Sequence, residues 1–258
     1  MSHQYARVEH EGALTIVTLD RPLSRNALNA AAHRELEKIF DAFARDDDQW
    51  VAIITGAGEV AFCAGHDLKE HAAGGGLEFP RTGFAGLTAR FDLNKPVIAA
   101  VNGAAMGGGF EIALACDIVV AAQSAYFALP EPGVGLAALA GGIHRLPRAI
   151  GLKRAMDILL TGRRVDAREA FALGFVSEVV DGDVLGAAKR WARTLLTCSP
   201  MSLRATKEAA LQGLSLSVKD ALDAQWHYPA VKALLASEEY VEGPSAFAEK
   251  RIPNWSGR

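Results

Sequence analysis

The stretch Val101–Glu111, VNGAAMGGGFE, decides how the chain is read. An apolar run ends in three consecutive glycines, and a carboxylate follows two residues later. Glycine loses more conformational freedom on folding than any other residue, so a triplet makes sense where something must approach the main chain closely. The preceding Val97–Val101 (VIAAV) is a short apolar run that suits a fully buried strand. A helical pattern takes over from about Phe110 to Cys116. A glycine turn that opens a helix exposes unpaired N–H groups at the positive end of the helix dipole. Such a turn can hold a negatively charged oxygen. On this stretch alone Glu111 has two readings: an acid set beside that oxygen, or an ordinary first-turn carboxylate complementing the dipole.

Working outward, Ala13–Leu19 reads as a strand, and Pro22 within DRPLSRNALN breaks it. From Ala30 the residues Leu36, Ile39, Phe40 and Phe43 fall on one helical face, with Asn29 as the N-cap. Val51–Thr55 is a second buried strand. GAGEVAFCAGHDLKE then forms a loop leading to a short helix, and AAGGGLEFPRTG (72–83) predicts a mobile flap. Ile118–Ala122 and Ala125–Ala128 are further strands. This alternation gives an α/β chain with parallel pairings. If strands 51–55 and 97–101 lie in one parallel sheet, the AGHD and GGGFE loops emerge at the same edge, where ligands of such sheets bind. Two N–H groups converging there would form an oxyanion hole.

A second acid enters at YFALPEPGVG, where Glu131 stands between Pro130 and Pro132. Rigid flanks fix its direction, although exposed loop carboxylates are common. Two positioned carboxylates beside an oxyanion hole make a working acid/base pair.

After Gly141 helical patterns dominate: 152–160, 168–172, 184–197, 201–213 and 218–235, with Val176–Val180 as the remaining strand. Pro200 suits the first turn of a new helix, so the chain divides into a core (1–197) and a C-terminal helical region (198–258). Half of the 258 residues are hydrophobic and 22% are charged, which is ordinary for a protein with a real core. The net charge of -3 argues against a duplex-nucleic-acid binder. Three cysteines without a CxxC point to a reducing compartment. With no apolar signal segment and no run of about 20 apolar residues, the expected location is the cytoplasm. The histidines show no HExxH, and no metal is expected.

FCAGHDLKE, KPVIAAVNGAAMGGGFEIALACDI, FALPEPGVGLAALAGGIHRLP and LTGRRVDAREAFALGFVSEVV resemble the crotonase superfamily, the enoyl-CoA hydratases and isomerases. The resemblance runs from RPLSRNALN to FAEKRIPNW. It implies a crotonase-like spiral of ββα repeats with a C-terminal helical trimerisation region, assembled as a trimer or a dimer of trimers. It implies acyl-CoA thioester substrates, with coenzyme A as part of the substrate and no separate cofactor. The family's oxyanion donors fall on the backbone N–H groups of His66 and Gly108, and its two hydratase acids on Glu111 and Glu131. Many relatives with other chemistries keep one acid or neither, so both acids together imply reversible addition of water to a 2-enoyl-CoA. Ala64, Asp67, Leu68 and Lys69 flank the first donor. With Arg25, Leu139, Phe247 and Lys250 they are the expected substrate and CoA contacts.

In GLAALAGG, Ala138 and Leu139 replace the family's small turn, so Leu139 is expected to narrow the acyl pocket. LPE and TGRR are similar to carnitinyl-CoA dehydratase relatives, which makes that activity, or enoyl-CoA isomerisation, the alternative. A non-catalytic RNA- or protein-binding role fits poorly with a net acidic chain that carries paired acids.

Overall fold

The computed structural model describes residues 3–74 and 78–258. Among the described residues ten strands form two sheets. The strands are β1 (Ala6–Glu11), β2 (Leu14–Leu19), β3 (Val51–Gly56), β4 (Ala61–Cys63), β5 (Val97–Val101), β6 (Ala104–Met106), β7 (Ile118–Ala122), β8 (Tyr126–Ala128), β9 (Val165–Asp166) and β10 (Glu178–Val180). The larger sheet runs β1-β2-β3-β5-β7-β10 and the smaller β4-β6-β8-β9. From β2 to β10 the larger sheet is parallel, as is the run β4-β6-β8 in the smaller one. Antiparallel pairing is confined to β1 with β2 and β8 with β9.

Successive chain segments thus contribute one strand to each sheet: β3 then β4, β5 then β6, β7 then β8. Helices follow these pairs. They are α1 (Ala30–Arg45), α2 (Leu68–Ala72), α3 (Gly108–Ala115), α4 (Gly142–Ile150), α5 (Leu152–Thr161), α6 (Ala167–Leu173), α7 (Val184–Leu196), α8 (Pro200–Gly213), α9 (Val218–Ala224), α10 (Pro229–Ala236) and α11 (Glu239–Glu249). This is the ββα spiral that the motifs imply. The strands β2, β3 and β5 are buried at every position, as expected for sheets covered on both faces.

Asn29 caps α1 by accepting the Ala32 N–H (2.9 Å), and Leu36, Ile39, Phe40 and Phe43 are buried. Each such side chain contributes about 1.5–3 kcal/mol of burial. Phe110 anchors α3 through ring contacts with Phe127 (5.1 Å) and Phe175 (5.0 Å).

Several expectations change. Strand β1 and the three-residue strands β4 and β6 were read as part of loops or not at all. β4 and β6 are too short to show a period, whereas β1, ARVEHE, is polar and mostly solvent-facing; the AGHD and GGG loops therefore leave from the smaller sheet, not directly from β3 and β5. Helix α3 starts at Gly108, two residues before Phe110. The helix expected over 218–235 is two, joined by a 3-10 turn at Gln225–His227 and restarted at Pro229. Proline lacks the N–H that a continuous helix would need there.

The flap expected over 72–83 lies partly at 75–77, outside the described residues. Its last residues are tied to α1, with the Thr82 hydroxyl donating to Glu37 Oε1 (2.7 Å) and Phe79 packed on His33 (5.3 Å).

The C-terminal helices are bonded back to the core. Lys207 Nζ donates to Asp117 Oδ2 (2.7 Å) and Trp255 Nε1 to the Thr197 carbonyl (2.9 Å), while within the region Ser199 Oγ donates to Glu239 Oε2 and the Gly257 N–H to Glu239 Oε1 (2.7 Å). None of the described helices is long and apolar enough to cross a membrane.

Candidate active site

Strands β4 and β6 are parallel neighbours, so the loops that follow them leave side by side. The approach is close enough to exclude side chains. A Cβ on Gly65 would stand 2.7 Å from the Met106 carbonyl oxygen and 3.1 Å from the Gly108 nitrogen. A Cβ on Gly109 would stand 2.9 Å from Cys63 Cβ. Only glycine permits this contact between the two turns, which explains much of the triplet.

The AGHD loop has a defined direction. Leu28 forms a parallel bridge with His66: the Leu28 N–H donates to Gly65 O (2.8 Å), and the Asp67 N–H donates to Leu28 O (3.0 Å). In such a bridge the middle residue's own N–H points away from the partner strand, and so His66 N–H faces the side of the loop opposite Leu28. Gly108 opens α3, where first-turn N–H groups have no acceptor inside the helix. Gly107 bends the chain into it at φ 53°, ψ −123°.

Both acids meet this point. Glu111 lies in the first turn of α3, 3% exposed, and its Oε1 accepts the Gly142 N–H at 2.8 Å. Gly142 begins α4, so a second helix N-terminus is turned toward Glu111. Burial pushes the Glu111 carboxyl from its ordinary 4.5 up to about 7. The Gly142 and Ala140 N–H groups and Arg145 oppose that rise, while the charge of Glu131 adds to it. Glu131 Oε1 would be 2.8 Å from a Cβ on Gly107, which puts this acid directly over the glycine turn. Its Oε2 is buried with no hydrogen-bond partner among the described residues, and burial raises its pKa as well. Two acids whose protonated forms are favoured by burial can give and take protons with a bound molecule at one point.

The other expected residues lie around the loop, at the start of α2 and at the end of α11. Asp67 Oδ2 pairs with Arg21 Nη1 (3.1 Å) and braces the loop. The Ala64 N–H donates to the Arg25 carbonyl (2.9 Å), which links Arg25 to the same loop while its side chain is exposed. Leu68 and Lys69 begin α2 at exposed positions. Phe247 and Lys250 are exposed at the end of α11, Lys250 in a left-handed conformation.

Leu139 departs from the expectation. It is 69% exposed, whereas Ala138 is buried and shares the neighbourhood of Gly142 with Glu111. Ala138 thus packs beside the acid, and Leu139 faces out of the packed core.

Three contributors were not singled out from sequence. Gly142 donates to Glu111, Arg145 lies close enough to moderate its charge, and Phe84 packs against Gly108. The GG before a helical run was a usable signal for Gly142. Phe84 and Arg145 reach the site only through tertiary packing.

The sequence family described as "Enoyl-CoA hydratase/isomerase" matches residues 9–258. The chain belongs to the enoyl-CoA hydratase/isomerase family. Among its relatives, the carnitinyl-CoA dehydratase of Salmonella arizonae is 45% identical over 97% of this chain and 98% of its own length. The carnitinyl-CoA dehydratase of Escherichia coli strain K12 is 44% identical over 96% of each chain. Among solved structures of the family, an enoyl-CoA hydratase from Mycobacterium tuberculosis H37Rv superposes with a TM-score of 0.92, at 37% identity over 98% of this chain and 99% of that one. The crotonase-like fold implied by the motifs is therefore the fold of this family member.

Proposed function

We propose that this chain is a CoA-thioester hydro-lyase that adds and removes water across the C2–C3 bond, with the carnitinyl-CoA dehydratase type as the specific activity. The observation that carries the reaction class is the meeting of buried Glu111 and half-buried Glu131, both raised in pKa, at the glycine turn that opens α3. The thioester oxygen would sit between the N–H groups of His66 and Gly108, which stabilises enolate character at C2. One carboxylate then handles the proton at C2. The other, as the carboxylic acid, protonates the departing C3 hydroxyl so that it leaves as water, or in reverse, as the carboxylate, activates water toward C3. Each proton leaves on one acid as another arrives from its partner, so hydration and dehydration share one site.

The relatives favour the dehydratase alternative over a plain 2-enoyl-CoA hydratase. Near-full-length identity of 44–45% to proteins named for carnitinyl-CoA supports a substrate with a polar, cationic C4 substituent. A panel of 3-hydroxyacyl-CoA thioesters tests this, followed by gain of the conjugated enoyl-thioester absorbance. The 4-trimethylammonio substrate is expected to give the highest kcat/KM. A preference for unsubstituted chains would return the assignment to a general enoyl-CoA hydratase.

A further inference from the structure

His33 lies on the buried face of α1 and is fully enclosed. Its Nδ1 accepts the Ala85 N–H at 3.0 Å, and its Nε2 has no hydrogen-bond partner among the described residues. A buried polar atom left unpaired is unfavourable, and a leucine or phenylalanine would fill the space without one. The imidazole is therefore accounted for by the Ala85 bond. Burial, with a smaller contribution from His66, holds His33 down to about 3, so the ring is neutral and Nδ1 is free to accept.

Ala85 needs that partner. It is buried at φ 56°, ψ 19°, a left-handed conformation that is unfavourable for a residue with a Cβ. The turn it occupies carries Phe84, whose ring lies over Gly108: a Cβ there would come within 2.6–2.7 Å of Phe84 Cε1 and Cε2. His33 also touches Phe84 directly (4.3 Å between centroids) and stacks in parallel with the ring of His66 (6.4 Å, 4° between planes). His33 thus touches the Phe84 ring that packs on Gly108 and lies parallel to the ring of His66, the residue that carries the other backbone donor.

We propose that His33 is a positioning residue that holds the strained Phe84–Gly86 turn through its Ala85 bond, and so fixes Phe84 against Gly108 and the His66 loop beside it. This rests on the reading of the His66 and Gly108 N–H groups as donors to the thioester oxygen. His33 does not touch the reacting atoms. A misplaced donor lowers turnover more than binding, because most of the CoA contact lies elsewhere.

The test uses H33N, H33Q and H33L. Asparagine can offer Oδ1 where Nδ1 was. Glutamine places its amide nearer the Nε2 position, and leucine offers no acceptor. The readouts are kcat and KM on a 3-hydroxyacyl-CoA, and the red shift of a bound enoyl-thioester chromophore, which reports polarisation of the carbonyl. H33L and H33Q should lose on the order of 10²-fold in kcat with KM little changed and a diminished red shift. H33N should keep most of both. If H33L does not fold, the H33N–H33Q comparison carries the test. Equal behaviour of H33N and H33Q, or an H33L protein with full kcat and red shift, would overturn the role of His33. A wild-type protein that neither turns over nor polarises the bound thioester would instead overturn the donor reading on which it rests.

Discussion

Replacing Glu111 with glutamine should make the protein more stable above neutral pH while removing its activity. The carboxyl is displaced from 4.5 to about 7, chiefly by burial. A raised acid pKa means that between these values the folded state holds a proton the unfolded state has released. Stability is then unaffected below about 4.5, falls as pH rises toward 7, and stays reduced above it. The displacement corresponds to about 3 kcal/mol when complete. Glutamine keeps an oxygen for the Gly142 N–H and carries no charge, so it avoids the whole penalty. For a domain of this size each kcal/mol moves the thermal midpoint by about 2–4 °C, so E111Q should gain roughly 6–12 °C at pH 8 and almost nothing at pH 4.5. Turnover should fall by about 10²–10⁴, the usual contribution of a general acid/base. Thermal melts of both proteins across pH 4.5–8, paired with kcat at pH 7.5, provide the check. A gain independent of pH, or a destabilised E111Q at pH 8, would refute the buried, charge-penalised carboxylate.

E131Q should likewise lose about 10²–10⁴ in kcat while CoA binding, measured by calorimetry, is retained; near-full activity would leave a one-acid reaction. G108A should be destabilised by about 1–3 kcal/mol, because its Cβ meets the Phe84 ring, and F84L in the same chain should recover part of the loss in a melting experiment. F247S and K250A should raise KM for acyl-CoA more than they lower kcat, since remote contacts act as uniform binding. Point changes are preferable to truncation here, because Gly257 and Trp255 bond back to Glu239 and Thr197. Leu211, Leu214, Leu222, Trp226 and Leu235 are all exposed on the C-terminal helices, and light scattering should find the trimer or dimer of trimers that would cover them.

The central strands and α1 were legible because their signals are local: VIAAV and VAIIT are bounded apolar runs, and Leu36–Phe43 repeat at helical spacing. Glu111 and Glu131 were legible as well, one by its glycine triplet and the other by its flanking prolines. Of the second sheet only β8 was legible, since AFC and AAM are too short to carry a pattern and exist through the pairing β4-β6-β8. Beside the acid, the packing of Ala138 was not legible: nothing in LAALAGG separates it from Leu139, and only the fold buries the one and exposes the other. His33 looked like one more core position on α1. Its bond to Ala85 spans 52 residues and depends on a left-handed turn that nothing in TGFAGLT announces.

The central claim is water chemistry at C3 carried out by the paired acids, and isotope incorporation tests it most directly. A 2-enoyl-CoA thioester, with or without a 4-trimethylammonio group, is incubated with the protein in ¹⁸O-labelled water and the product is analysed by mass spectrometry. The account predicts a 3-hydroxyacyl-CoA carrying one ¹⁸O at C3 with the wild-type chain, and none with E111Q or E131Q. A product whose double bond has moved without gaining oxygen, or labelling that survives in both variants, would contradict it.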